Sequence, residues 1–475
     1  MTTAEIIQKV ENTTDIIDLS VKGIKIWRYE RFAVNRFLSE KDGGKEKLGL
    51  TRELKNFKIK NLIKYVKLYM KYKETPVVKS DILIFNHSRR AWNEKEKTYD
   101  CKYTEKLSDY YKSTTTYEAP FSDGHIEPTH TPNLRYLDRI IIRSYIYEVL
   151  NRKLFKKQYS KDYNTIKQYL TNVMSQYYDD KTIDQIAKSM TKNLYLIYYR
   201  RKSMRKIIKK VSPKVIIEVV GYSRNNMVVN EVAKEMGIPT IELQHSQISD
   251  VLLQYMWNGR NDIEQFPDYL FTYGDFWSHG IQAPIPSENV KAVGFPYFEE
   301  QMKLISDKNN GKQSGDSVLF VSQYLAGKYV YELAIKVSQI CPDINIIYKL
   351  HPEEYGIWET RYPELKKFSN INVITDVNVS LYECFTKVNA VVGVYSGALY
   401  EALAFDLPVY LYNVNYIEHM KKLIDVDGAM VFNSAEELMG VLKEGKRMDT
   451  PKLEIWKKDS WNNLVREVDA IMGER

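Results

Sequence analysis

Residues 214–246 read KVIIEVVGYSRNNMVVNEVAKEMGIPTIELQHS, and their pattern indicates the fold class of the chain. KVIIEVVG (214–221) is a run of apolar, mostly β-branched residues, which predicts a strand buried on both faces. NNMVVNEVAKEMG (225–237) has apolar residues at helical spacing and ends in a glycine, so it predicts an amphipathic helix. IPTIELQHS (238–246) predicts a second strand. A strand, a helix and a strand of these lengths indicate a βαβ unit in a parallel sheet.

The same alternation returns in the C-terminal half of the chain. Further strands are predicted at SVLFVSQ (317–323), INIIYKLHP (344–352), INVITD (371–376), NAVVGVYS (389–396) and LPVYLYN (407–413), with helical segments between most of them. The polar, glycine-containing stretch SDKNNGKQSGDS (306–317) precedes this series and is typical of a linker.

A chain of 475 residues is long enough for two domains. We expect an α/β protein with a first domain at 1–305 and a second, donor-binding domain at 306–475. The first includes a helical insertion at about 133–210, and the last helix of the second is a candidate to return to the first. Two such domains place a cleft between the carboxyl ends of their sheets, where ligands of open α/β sheets bind.

The segment KLHPEE (349–354) places polar groups at the end of an apolar strand. Lys349 and His351 can both donate to phosphate oxygens, and Pro352 fixes the turn. A histidine satisfied within the structure at a strand edge is the alternative. Ser322, at the end of the strand SVLFVSQ, is grouped with these candidate donor-binding residues.

A second candidate follows the strand that ends at Tyr395. Ser396-Gly397 predicts a tight turn into a helix, whose free backbone N–H groups and positive dipole end suit an anion. Ser396 is a natural N-cap, and Gly397 lets a phosphate approach the backbone closely. Glu401, one turn later on the same helix face, can accept the hydroxyls of a ribose. The alternatives are an ordinary capped connection and a solvated glutamate.

His245 ends a strand of the first half at the predicted cleft. An imidazole that titrates near neutral pH is a candidate general base for an acceptor hydroxyl, and a structural histidine is the alternative. His87 and Arg89 or Arg90 are weaker candidates for an anionic acceptor than for a solvated loop.

Residues 214–440 resemble the bacterial surface-polysaccharide glycosyltransferases of GT-B fold, a group that includes sialyl- and Kdo-type capsule transferases and CDP-polyol phosphotransferases. The resemblance lies in His351-Pro352, in the Ser396-Gly397 turn with Glu401 and DLPV (406–409), and in three upstream blocks. These blocks are GIPTIELQHSQ (237–247), YLFTYGDF (270–277) and VKAVGFPYFE (290–299). Ser246 stands where the family has a glycine after its histidine.

The resemblance implies two doubly wound, Rossmann-like domains that face a central cleft. It also implies transfer of a sugar from a CMP-, CDP-, UDP- or GDP-linked donor to a hydroxyl of a surface polysaccharide or glycolipid, with His245 and His351 in the site. We expect no cofactor and no metal, since Lys349, His351 and the helix start can stabilise the leaving phosphate. The short acidic pattern at 425–427 lies in a poorly suited context.

Composition sets further bounds. The net charge of +8 is a modest excess, concentrated at 51–73 and 199–210. These basic stretches predict solvated helix faces, or contact with an anionic membrane or a polyanionic acceptor. No nucleic-acid motif accompanies them.

Three scattered cysteines, no signal peptide and no apolar run of spanning length lead us to expect a cytoplasmic protein, with a peripheral position at the inner face of the membrane as a candidate.

Three other functions stay open at this stage. A CDP-polyol phosphotransferase would hold its nucleotide in the same way, and a nucleotide-sugar 2-epimerase would need the cleft without an acceptor site. A non-enzymatic scaffold on a degenerate transferase would use the basic helices as its working surface.

Overall fold

The computed structural model describes residues 1–42, 62–72, 76–88, 90–121, 124–249, 252–308, 317–376, 379–444 and 454–473. Two large parallel sheets dominate it, one in each half of the chain. The elements of the first half are α1 (Thr3–Thr13), β1 (Ser20–Val21), β2 (Ile24–Lys25), α2 (Ile26–Asp42), α3 (Leu62–Lys71), β3 (Ile82–Asn86), β4 (Ala91–Asn93), β5 (Thr98–Asp100), α4 (Glu105–Tyr110), β6 (Thr114–Glu118), β7 (Leu134–Tyr136), α5 (Asp138–Leu154), α6 (Lys156–Met174), α7 (Asp180–Val211), β8 (Val215–Val219), α8 (Arg224–Glu235), β9 (Thr240–Leu243), β10 (Tyr269–Thr272), α9 (Asp275–Ser278), β11 (Val290–Ala292) and α10 (Pro296–Lys308).

The elements that follow residue 316 are β12 (Ser317–Val321), α11 (Gly327–Ile340), β13 (Asn345–Lys349), α12 (Trp358–Arg361), β14 (Ile371–Ile374), α13 (Leu381–Phe385), β15 (Ala390–Gly393), α14 (Gly397–Leu403), β16 (Val409–Tyr412), α15 (Lys421–Ile424), β17 (Met430–Phe432), α16 (Ala435–Glu444) and α17 (Ser460–Gly473). The predicted linker falls on 309–316, outside the described residues. The boundary predicted at residues 305 and 306 stays a prediction.

The first sheet has the order β11-β10-β9-β8-β3-β6-β7, and its neighbouring strands are all parallel. The chain runs outward from β3 to β7, then returns beside β3 at β8 and continues to β11. The direction therefore reverses between β3 and β8. Such a reversal leaves a crevice at the carboxyl ends of the two strands, because their connections leave on opposite sides.

The second sheet has the order β14-β13-β12-β15-β16-β17, again with parallel neighbours. Its reversal lies between β12 and β15. The predicted strands ending near Gln323, His351 and Ser396 are β12, β13 and β15, so their carboxyl ends are adjacent. The prediction of two doubly wound domains is confirmed by the two strand orders.

Three helices, α5 to α7, fill most of the segment predicted as a helical insertion. The prediction is wrong at its start, where β7 adds a strand to the edge of the first sheet. α7 is 32 residues long and is capped by the Asp179 carboxylate, which accepts from the Thr182 N–H at 2.7 Å. Ser212, in the left-handed conformation, ends the helix before β8.

The C-terminal segment connects the two halves. Leu464, Val468 and Ile471 of α17 pack in one apolar cluster with residues of β3, β8 and β9. Before α17, Trp456 Nε1 donates to the Tyr400 carbonyl at 3.1 Å, while the Lys457 N–H donates to the Tyr273 carbonyl at 2.7 Å. Residues 454–460 therefore lie against both sheets' connecting loops.

Candidate functional site

A cavity of about 350 Å³ lies between the carboxyl ends of the two sheets. The first half lines it with residues that include His245, Tyr273 and Phe295, which follow β9, β10 and β11. The second half contributes Gln323 after β12, and Ser396, Gly397 and Glu401 at the start of α14. The structure thus brings four of the predicted site residues, His245, Ser396, Gly397 and Glu401, to one cavity.

His245 is half-buried at the wall of this cavity. Its Nε2 lies 3.1 Å from the Tyr222 hydroxyl, and its backbone carbonyl accepts from the Tyr103 hydroxyl at 2.9 Å. Burial, and then the nearby His87, lower the pKa of His245 to about 3. The imidazole is therefore neutral at cellular pH. A group with so low a pKa is poorly matched to take a proton from a hydroxyl near pH 7.

Two buried glutamates, Glu218 and Glu242, are paired across β8 and β9. Glu242 Oε1 accepts from the Gly221 N–H at 2.9 Å and from the Tyr255 hydroxyl at 3.0 Å. Burial raises the pKa of Glu242 to about 7 against the effect of these two hydrogen bonds. A Cβ at residue 221 would overlap both carboxylates, so any other residue in the turn after β8 would force these two buried side chains to shift.

Several buried polar atoms of the cavity lining have no hydrogen-bond partner among the described residues. They are His245 Nδ1, Gln247 Oε1, Gln254 Oε1 and Gln323 Oε1. Each buried polar atom left without a partner costs about 1–3 kcal/mol. A polar ligand or bound water in this cavity would supply the missing hydrogen bonds and so remove that cost.

The start of α14 is open to the cavity. The Ser396 hydroxyl caps the helix by accepting from the Ala398 N–H at 3.2 Å. A Cβ added to Gly397 would meet no atom within 4 Å. Gly397 therefore leaves free space beside the backbone at this point. The helix has only seven residues, so its dipole contributes less to binding an anion than the free space beside Gly397 does.

Glu401 lies one turn into α14 and points to the cavity rather than to solvent. It accepts a hydrogen bond from the Tyr382 hydroxyl and lies near Lys102. Burial raises the pKa of Glu401 to about 7, and Lys102 and Tyr382 oppose that rise. The carboxyl is thus poised to titrate near cellular pH, which a solvated helix glutamate would not do.

Stacked aromatic rings form the floor on the side of the first sheet. Phe295 stacks on Tyr103 and on Tyr273, with ring centroids 5.4 and 4.8 Å apart, and Tyr273 stacks on Trp456 at 5.1 Å. Tyr273 and Phe295 belong to two of the blocks that carry the family resemblance. Tyr103 and Trp456 are distant in sequence and give no local signal, so sequence reasoning missed them.

The other predicted donor-binding residues do not line the cavity. Lys349 Nζ donates to the Tyr355 hydroxyl at 2.9 Å and to the Val379 carbonyl at 2.8 Å. Ser322 is buried, and its hydroxyl accepts from Tyr348 at 3.3 Å. The polar groups of these two side chains are already engaged within the second domain.

His351, Pro352 and Tyr395 are similarly placed outside the cavity lining. The backbone N–H of His351 donates to the buried Glu354 carboxylate at 2.8 Å. Pro352 is exposed. The Tyr395 ring contacts those of Tyr416 and His419. β15 ends at Gly393, two residues before the predicted end.

The weaker candidates of the first half separate. His87 contacts the His245 ring at 6.0 Å between centroids, so it lies beside the cavity wall. Arg90 is buried, with its guanidinium paired to Glu105 and Glu118 at 3.1 and 2.8 Å. The expectation of a solvated loop is therefore wrong for Arg90. Arg89 lies outside the described residues.

Among the described residues, one group has the composition of a metal site. Ligand atoms of Asp100, Glu105 and His130 lie within 4.8 Å of one another. His130 Nδ1 lies 3.3 Å from Asp100, its Nε2 lies 3.3 Å from Asp109, and Glu105 also pairs with Arg90. The group is therefore already a network of ion pairs, and the expectation of no metal stays a prediction.

The two basic stretches also differ. In 199–210, Arg201 and Arg205 form ion pairs with Glu235 of α8, so part of this charge is neutralised. In 51–73, only 62–72 are described, and Val66 and Met70 of α3 are more than half exposed there. In the part of the chain that the structure describes, no helix combines the length and apolar character that a membrane span requires.

No protein-family model and no curated protein matches the sequence. Among solved structures, the chain is similar to a UDP-GlcNAc 2-epimerase from Neisseria meningitidis bound to UDP-GlcNAc, with 10% identity over 82% of this chain and 99% of that one and a TM-score of 0.46. It is similar to the wall teichoic acid polymerase TagF, with 10% identity over 88% of this chain and 96% of that one and a TM-score of 0.44. It is also similar to Acinetobacter baumannii MurG, with 13% identity over 53% of this chain and 69% of that one and a TM-score of 0.37. At such identities and TM-scores nothing about activity follows. The conclusion that two doubly wound domains face a cleft rests on the strand orders and on the position of the cavity.

Proposed function

We propose that the protein is a glycosyltransferase that moves a sugar from a nucleotide-activated donor to a hydroxyl of a surface polysaccharide or glycolipid. The observation that carries this proposal is the cavity between the two sheets, where four unpartnered polar atoms meet an open helix start and Glu401. A nucleoside diphosphate sugar offers the hydroxyl and phosphate groups that such a lining can bind. The donor base, the sugar and the acceptor belong to the proposal.

In this proposal Glu401 binds the ribose hydroxyls of the nucleotide donor. Its carboxyl group is an acceptor of hydroxyl hydrogen bonds at both oxygens when ionised, and its pKa of about 7 makes that state readily reached. The free space at Gly397 receives a phosphate. His245 takes part as a neutral imidazole that orients a reacting group, a revision of the role of general base that follows from its low pKa. His351, Lys349, Pro352, Ser322 and Tyr395 stay predicted donor-side residues.

The first experiment is a thermal-shift screen with CMP, CDP, UDP and GDP, each with and without EDTA. A nucleotide that binds the native state raises the melting temperature with the logarithm of its concentration over its dissociation constant. We expect one base to stand out and EDTA to have no effect. If no nucleotide stabilises the protein, the proposal is wrong and the scaffold is favoured.

The second experiment separates the enzymes. The protein is incubated with the matching nucleotide sugar, with and without a lipid-linked or polysaccharide acceptor, and the products are identified by mass spectrometry and NMR. Transfer gives free nucleotide and an extended acceptor. An epimerase converts the sugar without an acceptor, and a CDP-polyol phosphotransferase releases CMP and leaves a phosphodiester in the product.

A further inference from the structure

A second cavity, of about 540 Å³, lies among helices α5, α6 and α7 and shares no residue with the cleft. Its lining combines the rings of Tyr145 and Tyr159 with three cationic side chains, Arg152, Lys188 and Lys192. One carboxylate, Glu148, also lines it. A cavity of this size can enclose a small polar group.

The charges of this cavity are unequally balanced. Arg152 pairs with Glu148 at 3.0 Å, and Lys188 pairs with Asp184 at 2.7 Å. Among the described residues, Lys192 has no carboxylate within ion-pair distance, and its ammonium lies 5.2 Å from the centre of the Tyr145 ring. Glu148 is close enough to Lys192 to attract it but is already paired with Arg152, so the lining holds three cations and one carboxylate. Such an excess of positive charge favours an anionic ligand.

An apolar surface adjoins the mouth of the cavity at the corner between α5 and α6. Ile146, Leu150 and Leu154, spaced by four residues on α5, and then Phe155 are 44%, 47%, 70% and 61% exposed. Arg152 lies two residues before Leu154, and Tyr159 four residues after Phe155, so the corner lies next to the cavity. An exposed apolar stripe of this kind marks an interaction surface.

The charge around the corner selects the partner. Residues 149–161 contain five basic side chains, all exposed, and no acidic one: Arg152, Lys153, Lys156, Lys157 and Lys161. Apolar side chains projecting from a basic surface are the combination that binds an anionic bilayer, because the chains enter the interface while the cations attract the headgroups.

We propose that the α5–α6 corner docks on an anionic phospholipid surface, with Leu154 and Phe155 inserted and a headgroup phosphate bound by Lys192 in the adjoining cavity. This contact is independent of the residues assigned to sugar transfer. Lipid docking would hold the cleft near a membrane-bound acceptor, but it can be tested without any donor or acceptor.

The test is co-sedimentation of the full chain with phosphatidylcholine vesicles and with vesicles that also contain phosphatidylglycerol. We expect binding to the anionic vesicles only. Leu154→Ser with Phe155→Ser should weaken that binding by at least about tenfold, since two large apolar side chains no longer insert. Lys192→Gln should weaken it by about fivefold, the effect of one cation near the surface.

Controls keep these outcomes specific. Leu304→Ser removes an apolar side chain that is exposed on α10, and Lys206→Gln with Lys209→Gln removes charge from α7; neither should change vesicle binding. Melting temperature and nucleotide binding should be unchanged in every variant, which separates this proposal from that of sugar transfer. Equal binding to both vesicle types, or full binding by the Leu154 and Phe155 variant, would overturn the lipid assignment. So would tight binding of soluble glycerol phosphate without vesicle binding, or a dimer that the corner variant dissociates.

Discussion

The carboxyl ends of β13 and β15 belong to the same sheet, and both carry polar residues beyond an apolar strand. At the β13 end (349–352), Lys349 donates to two oxygen atoms of its own domain and the His351 N–H donates to buried Glu354. At the β15 end (396–401), Gly397 borders free space and Glu401 projects into the cleft. One strand end is largely satisfied by its surroundings, and the other is not.

A polar strand end can therefore bind a ligand only where polar groups around it still lack partners. Buried polar groups in proteins are nearly always paired, so the unpaired ones carry the information. In the cleft these belong to His245, Gln247, Gln254 and Gln323, which line the same cavity as Gly397 and Glu401 of the β15 end. We therefore expect nucleotide binding to depend strongly on the β15 end and weakly on the β13 end.

The largest expected effect comes from Glu401→Gln. The change keeps the size of the side chain but replaces two charged acceptor oxygens by one neutral amide oxygen and an NH2 donor, so nucleotide affinity should fall by about 10- to 100-fold. In the wild type, affinity should increase as the pH rises through about 7, because ionisation makes both oxygens of Glu401 charged acceptors. This pH dependence should vanish in the variant. Isothermal titration calorimetry across pH measures both.

Glu383→Gln is the matched control, since Glu383 is exposed one residue from Tyr382. It should leave affinity and its pH dependence unchanged. If Glu401→Gln binds nucleotide with wild-type affinity, the expectation that binding depends more on the β15 end than on the β13 end is wrong.

Gly397→Ala should have the next largest effect. The added methyl group meets no protein atom, so folding is unaffected or stabilised by up to about 1 kcal/mol through the helix preference of alanine. It does occupy the space assigned to a phosphate, and nucleotide affinity should fall about tenfold. Gly440→Ala, in α16, also meets no atom and should raise stability without changing affinity. A Gly397→Ala protein with normal affinity would place the phosphate elsewhere.

Much of the fold could be predicted from local sequence. The β-branched run at 214–221 and the glycine-ended helix after it become β8 and α8 within two residues of the predicted bounds, because burial on both faces demands that pattern. The strand orders could not be predicted, since which strand lies beside which depends on contacts between distant segments. The short edge strand β7 was also missed, because its three residues have no periodicity.

The site shows the same division. The positions of His245, Ser396, Gly397 and Glu401 follow from strand ends, which sequence reveals. Tyr103 and Trp456 complete the cleft from segments more than 350 residues apart in the chain, so only the fold brings them together. The low pKa of His245 likewise arises from burial and from His87, neither of which the motif contains.

Lys349→Met tests the β13 end, with a smaller expected effect. Because the ammonium holds the Tyr355 hydroxyl and the Val379 carbonyl, its loss should lower the free energy of unfolding by about 1 kcal/mol in urea titrations. Nucleotide affinity should change by less than about threefold. Lys328→Met, at an exposed residue of α11, should change neither quantity. A tenfold loss of affinity with normal stability would instead give Lys349 the phosphate-binding role that its sequence context predicts.

The last expected effect is on the pH dependence of stability without ligand rather than on nucleotide affinity. Burial raises the pKa of Glu401 from 4.5 to about 7, so between these values the folded state keeps a proton that the unfolded state has lost. Stability should therefore decrease as the pH rises from about 4.5 to about 7 and level off above it. Glu401→Gln should remove up to about 3 kcal/mol of this change over the window, and Glu242, with its own pKa of about 7, should leave a residual slope. Urea unfolding at several pH values measures the difference. An identical slope in Glu401→Gln would mean that the carboxyl is ionised throughout and that the β15 end is no more poised to titrate than the β13 end.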